Sequence, residues 1–147
     1  MLRLRNELAA KRRKARHYGV QALYKWHMVG GDPGEIVLEF CDEYDFINVD
    51  VEYFSNLLHS ISSQVEDLEA VLLPILDRKL DELDPIERSV LRLGTFELKK
   101  RLDIPYKVVI SESVALAKKF GATDSHRYIN GVLDKVARLL RSDEMVS

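Results

Sequence analysis

Apolar residues recur at steps of three and four along most of this chain, and that spacing most limits the folds open to it. Residues three and four apart lie on one face of a helix. In residues 14–28, one such stripe consists of Ala15, Tyr18, Ala22, Leu23 and Trp26. Alternating runs bounded by a two-residue glycine turn, which would indicate a hairpin, are missing from the sequence. The sequence therefore predicts an all-α protein.

Proline, glycine and capping residues divide this pattern into about seven helices. The dividing residues are Gly30-Gly31, Asp32-Pro33, Asp50, Pro74, Asp84-Pro85, Pro105, Gly121 and Asp124 or Ser125. Glu87 stands where it can close a capping box with Asp84. Gly94, inside the fifth helix, costs about 1 kcal/mol relative to alanine and so indicates a close helix crossing. With 147 residues, we expect a single compact bundle.

Charge is strongly segregated, although the net charge is only -2. Residues 1–16 carry seven bases and one acid, whereas residues 26–77 contain twelve acids and no Lys or Arg. We expect residues 1–10 to be a flexible basic arm and residues 11–147 to be the helical domain. A basic arm on a mildly acidic protein suits an anionic partner, and a disordered, solubilising tail is the other interpretation.

The acidic middle of the chain has three interpretations. It repels RNA and keeps the nucleic acid on the basic side, it attracts a basic protein partner, or it serves solubility alone. The sequence does not choose among them. Charge reversal at Asp42 and Glu43 in a partner titration would separate them.

Catalysis finds little support in the sequence. The four histidines (His17, His27, His59 and His126) form no HxxxH or HExxH pair, so we expect no metal site and no cofactor. Cys41 lies among acids, which disfavours a nucleophilic thiolate. No phosphate-cradling glycine loop and no GxSxG motif is present. We therefore expect a protein that is not an enzyme.

The expected location is the cytoplasm. A single cysteine fits a reducing compartment. No apolar run approaches the ~18 residues of a membrane span, and no hydrophobic segment follows the basic N-terminus. We expect no membrane association.

Two segments have the chemistry of binding sites. In residues 11–16, Arg12 and Arg16 share a helix face, where like charges repel unless a partner supplies phosphates. In residues 120–131, the start of the last predicted helix offers backbone N–H groups, the charge of Arg127 and the ring of Tyr128. RNA binding and a plain capping and packing role are both open for this second segment.

These segments belong to a wider resemblance, which spans residues 11–140. Four stretches carry it, namely RRKAR with VQALY, LDPIERSVLRLG, DIPYKVVI and FGATDSHRYINGVLDKV. They resemble the NusB family of bacterial transcription antitermination factors. The resemblance implies an all-helical protein that binds single-stranded boxA RNA in nascent transcripts, notably those of ribosomal RNA operons. It implies a heterodimer with the ribosomal protein NusE, which joins RNA polymerase and other Nus factors.

The resemblance also implies an RNA-binding surface. Its residues here are Arg12, Arg13, Lys14, Arg16, Tyr24, Glu87, Arg92, Asp124, Arg127 and Tyr128. The family usually has phenylalanine where Tyr128 stands, and stacking survives that change. We expect the arginine run to neutralise phosphates and Tyr128 to stack on a base. Asp124 or the neighbouring backbone should bind base edges, and the two segments should hold one RNA strand together.

Other functions stay open at this point. One is a protein-binding adaptor that never contacts RNA. Another is a stand-alone relative of the helical module fused to some RNA cytosine methyltransferases. Homodimerisation also occurs in parts of the resembling family, where it would bury the same surface.

Overall fold

Helices account for the regular secondary structure of a computed structural model that describes residues 1–145. The elements are α1 (Leu2–Val29), α2 (Pro33–Glu43), α3 (Val51–Ser63), α4 (Val65–Leu72), a 3-10 turn (Leu80–Glu82), α5 (Pro85–Lys100), α6 (Tyr106–Phe120), α7 (Ser125–Leu140) and α8 (Ser142–Met145). No strand occurs in this described range. The predicted all-α class is confirmed, and the seven predicted helices are present. The short α8 was not predicted.

Contacts divide the chain into two compact units, a division that the periodicity alone did not indicate. The first unit is Met1–Ser63 and holds α1 to α3, and the second begins at Gln64 and holds α4 to α8.

Local capping explains most helix boundaries. Asp32 accepts a hydrogen bond from the Gly34 amide at 2.9 Å, and Asp84 accepts one from the Ile86 amide at 2.7 Å. Each carboxylate satisfies an amide that has no partner within its own helix. Both predicted caps are therefore confirmed.

The first helix begins much earlier than the apolar stripe predicts. α1 runs through residues 2–10, the segment predicted as a flexible arm, and every one of these residues is exposed. Local contacts support the helix there, among them the Arg3–Glu7 pair at 3.4 Å, one turn apart. Exposed helix ends without tertiary packing are only marginally stable, so fraying of this segment in solution stays a prediction.

The first unit packs α3 against α1 and α2. Phe54, Leu57, Leu58 and Ile61 of α3 are fully buried. Asp50, just before α3, links the two longer helices, because its amide donates to the Lys11 carbonyl at 3.1 Å and its carboxylate accepts from the Tyr53 amide at 3.0 Å. This contact fixes the arginine run of α1 beside the first turn of α3.

In the second unit, α5 is the central helix. It packs against α4, α6 and α7, and its residues 89–98 are buried without a break. A Cβ on Gly94 would lie 2.8 Å from Leu133 Cδ1 and 3.0 Å from Ser113 Oγ. The close crossing predicted from Gly94 is confirmed, and it involves both α6 and α7.

Arg141, which follows α7, binds the C-terminal end of α5. Its buried guanidinium donates to four backbone carbonyls at 2.8–3.2 Å, those of Glu97, Leu98, Arg101 and Ile104. The last carbonyls of a helix have no intrahelical partner. The Arg141 side chain therefore acts as a C-terminal cap.

Candidate nucleic-acid interface

The cationic run of α1 divides into an exposed part and a packed part. Lys11, Arg13 and Lys14 are exposed. Because consecutive side chains on a helix point about 100° apart, these three spread over the outer side of α1 rather than along one row. They form an exposed cationic surface on the first unit, and the phosphate-neutralising role expected of the run stays a prediction for them.

Arg12 and Arg16 face α3 instead. The Arg12 guanidinium carbon lies 5.0 Å from the centroid of the Tyr53 ring, and that of Arg16 lies 5.6 Å from it. Arg12 Nε also lies 3.8 Å from Asp50 Oδ2. The ring and the carboxylate offset the repulsion between two arginines one turn apart.

Arg16 is therefore not at the surface where the resemblance puts it. Only 4% of the residue is exposed, so a phosphate in solvent cannot reach it in this structure. The side chain of Arg12 keeps 27% exposure and remains accessible.

Tyr24 lies on the exposed side of α1 with 37% of its surface accessible. Eleven residues separate it from Arg13, which is close to three full helical turns, so the two share a face about 16 Å apart. The structure thus places Tyr24 in line with an exposed arginine.

In the second unit, Glu87 does not stand free at the surface. Its carboxylate accepts a short hydrogen bond from the hydroxyl of Ser125, the first residue of α7. This bond ties the start of α5 to the start of α7. Glu87 therefore holds the DSH segment in place, a contact that the capping-box pattern did not indicate.

Arg92 is also removed from the surface, with 4% exposure. It donates to Glu69 of α4 at 3.1 Å, and Arg88 donates to the same carboxylate at 2.7 and 3.0 Å. Burial alone would raise the pKa of Glu69, but the hydrogen bonds and charges of the two arginines outweigh it and hold that pKa below its ordinary value. Arg92 holds α4 against α5.

Asp124 stands immediately before α7 in the left-handed region, with φ 70° and ψ -1°. Its side chain makes no capping bond, so the predicted cap position is right but the predicted capping contact is wrong. Asp124 instead pairs with Arg127 at 3.7 Å, and both side chains are more than 60% exposed, at 66% and 79%. Such an exposed pair contributes little to stability and leaves both groups open to a ligand.

The backbone at the start of α7 is partly occupied. The amides of Ser125 and Arg127 donate to the carbonyls of Ala122 and Asp124. These two amides are therefore not available to an anion at this helix end.

Tyr128, in the first turn of α7, is half-buried and held on two sides. The Arg78 guanidinium carbon lies 4.3 Å from the centroid of its ring, and its hydroxyl donates to Asp77 Oδ1 at 3.3 Å. Burial raises the pKa of Tyr128, and the hydrogen bond from Arg78 lowers that of Asp77. At neutral pH this contact joins a phenol to a carboxylate.

Arg78 was missed as a candidate site residue. It lies in the loop after α4 and contacts Tyr128, fifty residues further along the chain. The one sequence signal is its place as the first Lys or Arg after Lys25.

Among the described residues, no group of three or more His, Cys, Asp or Glu could hold a metal ion. A search of the same residues finds no helix long and apolar enough to cross a membrane.

Comparison with known proteins decides the family. The model of the NusB family matches residues 13–138. The chain belongs to the NusB family. A NusB protein of Pseudomonas savastanoi is 51% identical over 93% of this chain and 83% of its own length, and one of Alcanivorax borkumensis is 53% identical over 90% and 89%. Both relatives are named transcription antitermination proteins.

Solved NusB structures share the fold. NusB of T. maritima superposes with a TM-score of 0.80 at 28% identity, covering 90% of this chain and 95% of that one. A NusB in a complex with NusE and double-stranded RNA superposes with a TM-score of 0.79 at 29% identity, covering 95% and 99%. The resemblance stated from the four sequence stretches is confirmed.

Proposed function

We propose that this chain acts in transcription antitermination by binding single-stranded boxA RNA of nascent transcripts, notably ribosomal RNA, together with NusE. The observation that carries the proposal is the likeness of this chain to a NusB in a complex with NusE and double-stranded RNA, which extends over 95% of this chain. The preference for a single strand rests instead on the exposed side chains at the start of α7. NusB relatives that are 51% and 53% identical to this chain are named transcription antitermination proteins. The proposed role is binding rather than catalysis.

The first RNA-contacting surface in this proposal is the exposed side of α1. Lys11, Arg13 and Lys14 supply positive charge there, and Arg12 keeps partial access. Phosphate neutralisation by such residues releases counterions and gives affinity that falls with salt. Tyr24, on the same face as Arg13, offers a ring to a base.

The second surface is the start of α7. Tyr128 supplies a ring for stacking, and Arg127 supplies a charge with 79% of its side chain exposed. Asp124 offers carboxylate oxygens to base edges, because its side chain is not used as a helix cap. Unpaired bases are the natural ligand of such a surface, since bases within a duplex present no free face.

Arg16, Glu87 and Arg92 support these surfaces without touching RNA in this proposal. Arg16 packs on Tyr53, Glu87 binds Ser125, and Arg92 binds Glu69. Arg16 and Glu87 each fix a helix that carries exposed site residues, whereas Arg92 joins α4 to α5. Their substitution would act through stability or positioning.

We also propose that the chain works with RNA polymerase and other Nus factors in the cytoplasm, and its membership of the NusB family supports this. The lysine-free stretch over residues 26–77 suits a basic ribosomal protein such as NusE. A homodimer that covers the RNA surface would act as an autoinhibited form.

The test is a titration of labelled RNA followed by fluorescence anisotropy, with and without NusE. The RNAs are a single-stranded boxA, a scrambled strand of the same composition and a boxA duplex. We expect the single-stranded boxA to bind tightest and NusE to tighten it further.

Each other result has a definite meaning. Equal binding to boxA and scrambled RNA would refute boxA recognition, and preference for the duplex would refute the single-stranded site. NusE binding with no RNA binding under any condition would favour the protein-binding adaptor.

A further inference from the structure

The loop after α4 is joined to the first turn of α7 by three residues that contact one another. Arg78 Nε donates to Asp77 Oδ1 at 2.9 Å, and its Nη2 lies 3.5 Å from Asp77 Oδ2. Tyr128 donates to Asp77 and carries the Arg78 guanidinium over its ring. We call Asp77, Arg78 and Tyr128 the α7 clasp.

The clasp keeps a guanidinium over one face of the ring that is proposed to stack on a base. An aromatic face attracts a cation, so Tyr128 holds Arg78 close to where a base would stack. A base stacked on Tyr128 would bring its flanking phosphates with it, each joined to it through a ribose. Arg78 thus stands where an RNA backbone would need a positive charge.

In this structure Arg78 binds the carboxylate of Asp77, the residue that precedes it in the chain. A carboxylate presents two oxygens to the guanidinium fork in the way that a phosphate does. The two side chains are 40% and 68% exposed, and an exposed ion pair of this kind is weak enough to be exchanged. A phosphate can therefore take the place of Asp77 on Arg78.

We propose that Arg78 binds an RNA phosphate beside Tyr128 and that Asp77 is an internal competitor, which occupies Arg78 until RNA displaces it. This inference rests on the proposed RNA-binding function. Arg78 becomes an RNA-contacting residue, and Asp77 sets how much of its charge is available. The clasp is then an autoinhibitory contact that weakens binding to any RNA.

Two substitutions and their combination test the proposal. Asp77→Asn keeps the size of the side chain but removes the competing charge, so affinity for single-stranded boxA with NusE should rise about twofold to sixfold. Arg78→Gln should lower affinity and reduce the slope of log affinity against log salt by about 0.7. In the Arg78→Gln background, Asp77→Asn should have no further effect, because the cation that it frees is gone.

Asp103→Asn is the matched control. Arg101 binds Asp103 in the same bidentate way, at 3.0 and 3.1 Å, and the substitution changes the net charge equally. Arg101 directly follows α5, fourteen residues after Glu87, and a helix rises about 21 Å over that number of residues. We expect Asp103→Asn to leave RNA affinity nearly unchanged.

The outcomes distinguish failure of this inference from failure of the proposed RNA-binding function. If the wild-type chain binds boxA but Arg78→Gln leaves affinity and salt slope unchanged, Arg78 is not a contact and the inference fails alone. If Asp77→Asn raises affinity equally in the Arg78→Gln background, Asp77 acts only through general repulsion, and the competitor role is refuted. If the wild-type chain with NusE binds no RNA, the proposed function and this inference fall together.

Discussion

Arg92 and Glu69 form a largely buried ion pair between α5 and α4, with 3.1 Å between Arg92 Nη2 and Glu69 Oε2 and side-chain exposures of 4% and 13%. Arg88 binds the same carboxylate. One carboxylate thus binds two guanidinium groups on adjacent turns of α5. The pair is a structural feature of the second unit, although the resemblance suggested a surface role for Arg92.

Glu69→Gln should destabilise the protein by about 3 kcal/mol, because it leaves two guanidinium groups close together without their carboxylate. The measurement is urea unfolding followed by circular dichroism. Glu66→Gln is the matched control on the same helix, since Glu66 is exposed and its loss should change stability by about 0.5 kcal/mol or less. Equal effects of the two substitutions would contradict a structural role for the pair.

Low pH should remove the contribution of Glu69 to the free energy of unfolding. Its pKa is lower in the folded chain than the ordinary value of about 4.3, so its stabilisation is complete above that pH. As pH falls below 4.3, the unfolded chain takes up the proton first, and stability declines until the folded carboxylate is protonated too. Unfolding free energies of the wild type and Glu69→Gln should therefore converge between pH 5 and strongly acidic conditions; a constant difference would show that Glu69 does not titrate differently on folding.

Gly94→Ala should destabilise the protein despite the better helix propensity of alanine. The new methyl group would lie 2.8 Å from Leu133 Cδ1, and Leu133 is fully buried. Overpacking of about 1–3 kcal/mol outweighs a propensity gain of about 1 kcal/mol. Thermal unfolding of Gly131→Ala provides the control, because a Cβ there meets no atom within 4 Å and should stabilise α7. A higher melting temperature for Gly94→Ala would contradict the close crossing.

Features set by neighbouring residues could be predicted from the sequence. Asp84 and Pro85 start α5 through contacts within one turn. Gly94 indicates a crossing because glycine inside a helix costs stability relative to alanine, and close packing can offset that cost. Most helix boundaries and the all-α class follow from the same local rules, but the early start of α1 and the short α8 did not. The division into two units did not follow from them.

Features set by distant partners could not be predicted. From the sequence alone, Arg16 and Arg92 are both expected to be surface cations. In the structure, Arg16 packs on Tyr53, and Arg92 binds Glu69, which is 23 residues away in the sequence. Asp77 and Tyr128 are 51 residues apart. Whether an arginine is buried depends on such pairings, and periodicity carries no information about them.

Tyr128→Ala should weaken boxA binding by about 1–3 kcal/mol, since it removes the stacking ring. Tyr128→Phe keeps the ring and removes only the hydroxyl bonded to Asp77, so it should retain the affinity. Anisotropy titrations with NusE measure both, and circular dichroism checks that helix content is intact. Unchanged affinity in Tyr128→Ala would remove this ring from the RNA site.

Neutralising the exposed cations of α1 should change the salt dependence of binding more than its sequence preference. Arg13→Gln with Lys14→Gln removes two candidate phosphate contacts, and each lost contact lowers the slope of log affinity against log salt by about 0.7 on a single strand. Lys99→Gln with Lys100→Gln makes the same charge change at the end of α5 and should leave the slope nearly unaltered. Because phosphates carry no base identity, the ratio of boxA to scrambled affinity should stay close to that of the wild type. Identical slopes for both double variants would mean that the α1 cations act only through net charge.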